Sequence, residues 1–257
     1  MNIVSIPTEE VLIIFLIICR ITGIFFLIPP FGDSSIKPLF RMAFAITTAF
    51  FIYPNVSNII RPAVLAVGNN GIGLLILIAI EVGLGLAICT IIKTLTLAMQ
   101  VAGLTISSQM GLSAAALIDP SQQNQNSILG ILLTLLTTIV ILELSLHIRV
   151  IDGFLASYEK IPVGSFFNNY NDFMSLFVKS VGNMWSSGLQ ISMPFILVNI
   201  VMMIGGGILA KLMPQLQIFF VMLPVQILVG ILVFIAILSG ILFWFSEFFA
   251  SELNLIF

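Results

Sequence analysis

Long apolar runs fill this chain, and ionisable residues sit inside those runs rather than only between them. Of its 257 residues, 60% are hydrophobic and 8% are charged. A soluble domain carries roughly 25% charged residues, so the chain is suited to a bilayer or to a protein-lined equivalent. Hydrocarbon admits only segments that satisfy their own backbone hydrogen bonds, and no alternating strand pattern is visible. The fold class is therefore all-α. Yet Arg20, Glu81, Lys93, Glu143 and His147 interrupt the runs. A charge at the bilayer centre costs at least about 2.5–3.5 kcal/mol, so these side chains must face other helices, water or partner subunits.

About six hydrophobic segments are expected. The first, residues 11–28, carries Arg20 and stops at Pro29 and Pro30, because proline lacks an amide hydrogen and disfavours helix in the residue before it. Residues 39–53 form a short second run, closed by Pro54. Residues 72–101 make a long third one, roughly 45 Å at 1.5 Å per residue against a hydrocarbon core of about 30 Å. The fourth spans residues 128–151. A loop containing Tyr158 and Pro162 leads to a weaker amphipathic stretch, residues 173–189. The fifth run begins near Pro194 and reaches Ala210, and the sixth covers residues 218–245 with Pro224 inside it. At this length, with no Ser/Pro-rich linker, one domain over residues 1–257 is expected.

Other classes are disfavoured. The net charge is −2 and no basic stripe exists to neutralise phosphates, so no nucleic acid partner is expected. Cys19 and Cys89 lie within apolar runs, where a thiol behaves as a small hydrophobe, and nothing suggests a metal or other cofactor site. Glu9 and Glu10 precede the first run with no basic residue, the wrong sign for a cleavable signal peptide. Basic residues in the connections give no orientation. Arg61, Arg149, Lys160 and Lys179 would lie on one side, and Lys37, Arg41 and Lys211 on the other. Simple inner-membrane proteins show a cytoplasmic excess; these helices need not all be conventional spans.

The stretch from Gly103 to Ser127 joins the third and fourth runs and contains Gly111, Leu112, Ser113, Ala114, Ala115 and Ala116. Asp119, Pro120 and Gln122 read as an N-cap, a first-turn proline and a reciprocal capping partner. Loops of about 25 residues without structure of their own are uncommon in compact proteins and often act as lids or gates; a plain connector is the competing reading. Gly111-Leu112-Ser113 also evokes the nucleophile motif of rhomboid proteases, with His147 as base, but Ala114 replaces the second glycine. His147 lies four residues after Glu143, where an intrahelical pair is the simpler expectation. Arg20, Arg41 and Glu81 have a transporter-type reading as a proton relay. The favoured one is ionic contacts between helices, with Gly83 and Gly85 allowing close backbone approach. Around Pro214 and Gln215, a short polar turn forces the flanking apolar helices antiparallel, and Phe219 opens the second of them.

Taken together, these elements carry a resemblance. Arg20, Pro29, Gly32, Pro38 and Arg41 are followed by Glu81, Gly83, Gly85 and Gly103, then by the Gly111-Leu112 and Asp119-Pro120 loop. His147, Ser157, Pro162, Gly188, Pro194, Pro214-Gln215, Phe219, Pro224 and Gly230 complete the series. In that order the chain resembles the FliR family of flagellar export-gate proteins, whose injectisome counterparts form the SctT family. Gln217 stands where the family often has Asn, and Gln226 where it often has a basic residue. The resemblance implies a non-enzymatic subunit of a type III secretion core in the bacterial inner membrane and flagellar basal body. Its implied partners are FliP-like and FliQ-like membrane subunits, an FlhB-like export protein and exported unfolded polypeptides. It also implies helical hairpins that assemble largely above the bilayer, and a plug formed by residues 111–126.

Overall fold

In the computed structural model of the chain, the described residues are 8–28, 31–32, 36–68, 70–112, 127–164, 170–213 and 218–256. They hold seven helices and no strand: α1 (Thr8–Leu27), α2 (Pro38–Val67), α3 (Gly71–Gln109), α4 (Ile128–Glu143), α5 (Leu146–Lys160), α6 (Tyr170–Leu212) and α7 (Ile218–Ile256). Five of them, α1, α2, α3, α6 and α7, are long and apolar enough to cross a bilayer, and α4 with α5 would count as a sixth, broken span. The all-α membrane class holds.

Several boundaries differ from the sequence reading. The second run does not stop at Pro54, because α2 continues through both Pro54 and Pro62. A proline removes one backbone hydrogen bond, but the helix is carried across by packing of Ala45, Ala49, Ile52, Val56, Ile60 and Val64, all buried at helical spacing. The third run extends to Gln109, so Gly103 lies inside α3 rather than in a loop. The amphipathic stretch and the fifth run are one helix, α6, which passes through Pro194. The fourth run, by contrast, is interrupted. Ser145 takes a left-handed conformation at φ 54° and separates α4 from α5, and Tyr158 lies in α5 instead of a loop.

The chain gathers into two compact units. One comprises Met1–Thr94, Ser145–Ser180 and Ala250–Phe257; the other comprises Leu95–Leu144 and Val181–Phe249. In the first, α1 and α2 form an antiparallel hairpin. Glu10 at the start of α1 reaches Tyr53 and Arg61 late in α2, while Phe25 near the end of α1 stacks at 6.1 Å on Phe44 early in α2. Helix α5 also packs on α2. Its buried face carries Leu146, Val150, Phe154 and Tyr158, and its opposite face exposes Arg149, Asp152, Glu159 and Lys160.

In the second unit, α3 and α4 meet where a Cβ on Gly103 would fall on the backbone of Gly130. Ser127 caps α4, its hydroxyl accepting from the Gly130 amide at 2.8 Å. Asp119 and Pro120 lie outside the described residues. Helix α6 packs on α3 through Gly188, which faces Ala98 and Val101. Helices α6 and α7 run antiparallel, with Phe195 against Phe234 and Gly206 against Met222. The buried Thr137 and Ser192 hydroxyls bond back to their own helices, to the Leu133 carbonyl at 2.7 Å and the Leu189 carbonyl at 2.9 Å, so they add no unsatisfied group.

Candidate functional site

Arg20 sits on the buried face of α1 beside Ile17, Ile21 and Ile24. Opposite it, α3 presents Glu81. The two backbones can approach this closely because of glycines: a Cβ on Gly85 would overlap the Arg20 carbonyl, and one on Gly23 would lie 2.7 Å from the Gly85 carbonyl oxygen. Gly85 thus fulfils its expected role, whereas Gly83 faces open space. The guanidinium meets the carboxylate as a two-pronged pair, Nε donating to Oε2 at 2.6 Å and Nη2 to Oε1 at 2.9 Å. Both side chains are fully buried.

The remaining donors reach the C-terminal turn of α5. Nη1 and Nη2 each donate to the Ile161 carbonyl at 3.3 Å, and Nη1 lies 3.5 Å from the Ser157 carbonyl and hydroxyl oxygens. Helix C-termini concentrate partial negative charge, so a cation is stabilised there. The Tyr158 ring lies beneath the guanidinium, 4.1 Å from its carbon, a cation–π arrangement. One buried charge pair therefore ties together α1, α3 and the end of α5. Sequence reasoning brought Arg20 and Glu81 forward but missed Ser157, Tyr158 and Ile161 as partners. A basic side chain facing a helix C-terminus is the signal that would have found them.

The other expected ionic residues do not join this cluster. Arg41 lies 5.6 Å over the Phe26 ring. Glu143 and His147 form no i, i+4 pair, because the left-handed Ser145 ends one helix and begins another between them. Glu143 is exposed, and the His147 Nδ1 is buried without a hydrogen-bond partner among the described residues. A second charged cluster was not anticipated: Arg61 donates to Glu10 at 2.6 Å and the Tyr53 hydroxyl bonds the same carboxylate. Among the described residues, no group of three or more His, Cys, Asp or Glu side chains could hold a metal ion.

In the second unit an uncharged cluster stands where α3 ends. Asn199 on α6 donates to the Gln109 side-chain oxygen at 2.6 Å. Gln226 on α7 donates to the Gln109 backbone carbonyl at 2.5 Å and to the Asn199 side-chain oxygen at 2.8 Å. Gly111 follows at φ 75°, with the Leu112 amide bonded to Ser107 and the Gly111 amide to Ser108, the paired bonds of a Schellman cap. Of the expected plug, Gly111 and Leu112 are described; Ser113, Ala114, Ala115 and Ala116 lie outside the described residues, as do Pro214 and Gln215. Phe219 falls in the first turn of α7, and Pro224 is accommodated inside that helix.

Fold and site together define an α-helical integral membrane protein in which the buried Arg20 and Glu81 are paired with each other. Residues 11–251 match the family described as bacterial export proteins, family 1, and the chain belongs to that family. It is 29% identical over 232 residues to the flagellar biosynthetic protein FliR of Caulobacter vibrioides, covering 90% of each chain. Against the FliR of Bacillus subtilis the identity is 30% over 228 residues, 88% of this chain and 86% of the relative. The Yop proteins translocation protein T of Yersinia pestis is 23% identical over 189 residues, covering 73% of this chain and 70% of that one.

Proposed function

We propose that this chain is a subunit of the flagellar type III protein export gate. It assembles with FliP-like and FliQ-like subunits into the inner-membrane conduit for unfolded flagellar substrates, beside an FlhB-like protein in the basal body. Residues 1–257 act as one export-gate domain without chemistry of their own. The observation that carries this reading is the match to flagellar relatives along nine-tenths of the chain. The architecture is compatible with it. Helix α6 exposes Met193, Leu197, Val201, Ile204 and Ile208, and α7 exposes Val221, Val225, Leu228, Leu232 and Ile235. Each set follows helical spacing, giving apolar stripes suited to lipid or partner helices.

In this proposal Arg20 and Glu81 hold the subunit together, and the segment from Gly111 to Asn126 closes the resting conduit. Injectisome use is the second reading, favoured by the similarity to Yop proteins translocation protein T at lower identity and coverage. Deleting the gene and complementing it decides between them. Loss of flagella and of flagellin export, restored by the intact gene, is the expected result; normal flagella with lost secretion of other effectors would establish injectisome use.

A further inference from the structure

The end of α3 is held by more than its own cap. Gln226 uses one amide nitrogen for two acceptors, the Gln109 carbonyl and the Asn199 side chain, and Asn199 closes the ring by donating to the Gln109 side chain. The Gln226 carboxamide also lies against Gly111, where a Cβ would stand 3.4 Å from its oxygen. One turn further along α7, Gly230 gives room to Met110, whose side chain a Cβ there would overlap. Residues 109, 110 and 111 each touch the same face of α7.

We infer that Gln109, Asn199 and Gln226 form an uncharged latch. It positions the capped end of α3 and sets the point from which the chain leaves that helix at Leu112. Three features argue for a positioning role over incidental packing. All three side chains lie in helices of membrane-spanning length, where a carboxamide that finds a partner costs less than an ion. Asn199 uses both the donor and the acceptor side of its carboxamide, so neither a cationic nor a purely acceptor side chain at 199 can reproduce the ring. Gln226 acts as donor to two acceptors, which a purely acceptor side chain cannot do. And the contacts converge on Gly111, the one described residue of this turn with positive φ, so they hold the cap itself and not merely the helix before it. The latch rests on the export-gate reading only for its consequence, that loosening it unseats the segment which follows.

The test uses the complex coexpressed with its FliP-like and FliQ-like partners. Gln226→Met keeps the length of the side chain and removes its hydrogen bonds. Amide exchange at residues 107–112 should rise about tenfold, as expected for the loss of two bonds, with α4 unchanged. Asn199→Met leaves the Gln226 bond to the Gln109 carbonyl and should give a smaller rise; it is also the decisive variant should Gln226→Met not assemble. Gln226→Glu keeps an acceptor but faces two acceptors, so it should behave like Gln226→Met, whereas a merely bulky role would leave it near wild type. Wild-type exchange at residues 107–112 in the assembled variants, or an equal rise throughout α4, overturns the latch. Ion leak in non-exporting cells is read in parallel: raised exchange with raised leak supports latch and plug together, and raised exchange without leak keeps the latch while removing the plug.

Discussion

Gly85 lies directly against the backbone carbonyl of Arg20, and this contact is what lets the Arg20 side chain reach Glu81 one helical turn earlier on α3. The ion pair and the glycine are parts of one arrangement. The close approach excludes water, and without water the guanidinium must be satisfied by protein: by Glu81, by the carbonyls that end α5 and by the Tyr158 face.

Removing one charge should therefore be severe. Arg20→Leu or Glu81→Leu leaves the other ion buried and unpaired, a cost of about 3–5 kcal/mol, and should sharply lower the yield of assembled complex. The double variant Arg20→Leu/Glu81→Leu should recover part of that yield, because an apolar pair of similar volume needs no compensation. Arg20→Lys should not rescue, since an ammonium cannot span both carboxylate oxygens and the Ile161 carbonyl. Normal assembly with loss of proton-coupled transport alone would favour a transporter instead.

The two glycines near Glu81 should behave oppositely. Gly85→Ala places a methyl on the Arg20 carbonyl and should cost about 1–3 kcal/mol through forced displacement. Gly83→Ala meets nothing within 4 Å and should be neutral or stabilising by about 0.5–1 kcal/mol, the usual helical gain over glycine. Thermal unfolding of the purified complex compares the two.

At the end of α3, Gly111→Ala puts a side chain in the left-handed region, which costs roughly 1–2 kcal/mol. Faster amide exchange confined to residues 107–112 is the expected signature, with assembly retained.

Deleting Ser113 to Ala116 should leave assembly intact but make cells leak ions and small solutes, with export persisting. Membrane conductance in cells without active export is the quantity to measure; an assembled variant sealed as tightly as wild type would exclude this segment as an essential seal.

Expressed alone, the chain should aggregate or be degraded, because its long apolar faces on α4, α6 and α7 are uncovered within the subunit. Coexpression with FliP-like and FliQ-like subunits should give a monodisperse complex. A stable monomer in detergent that ignores those subunits would count against the proposed assembly.

Much of this was legible in the residues. Apolar runs with few charges permit only helices in hydrocarbon, and an arginine and a glutamate inside such runs have to be paired, so the all-α class and the need of Arg20 and Glu81 for buried partners followed from solvation alone. Family membership was legible too, because widely spaced prolines, glycines and charges from Arg20 to Gly230 together carry the resemblance. What local sequence could not decide was where helices break. Pro54 and Pro194 are strong local signals, yet each costs only one backbone bond, and the long helices around them persist; Ser145, with no such signal, ends one helix and starts another. Nor could it decide partners. Arg20 and Glu81 are 61 residues apart, and Gln109, Asn199 and Gln226 come from three separate helices. An ionic or amide side chain states only that it needs a partner; which one it meets depends on the packing of distant helices, set by glycines and apolar faces over the whole unit. Tertiary structure alone made that choice.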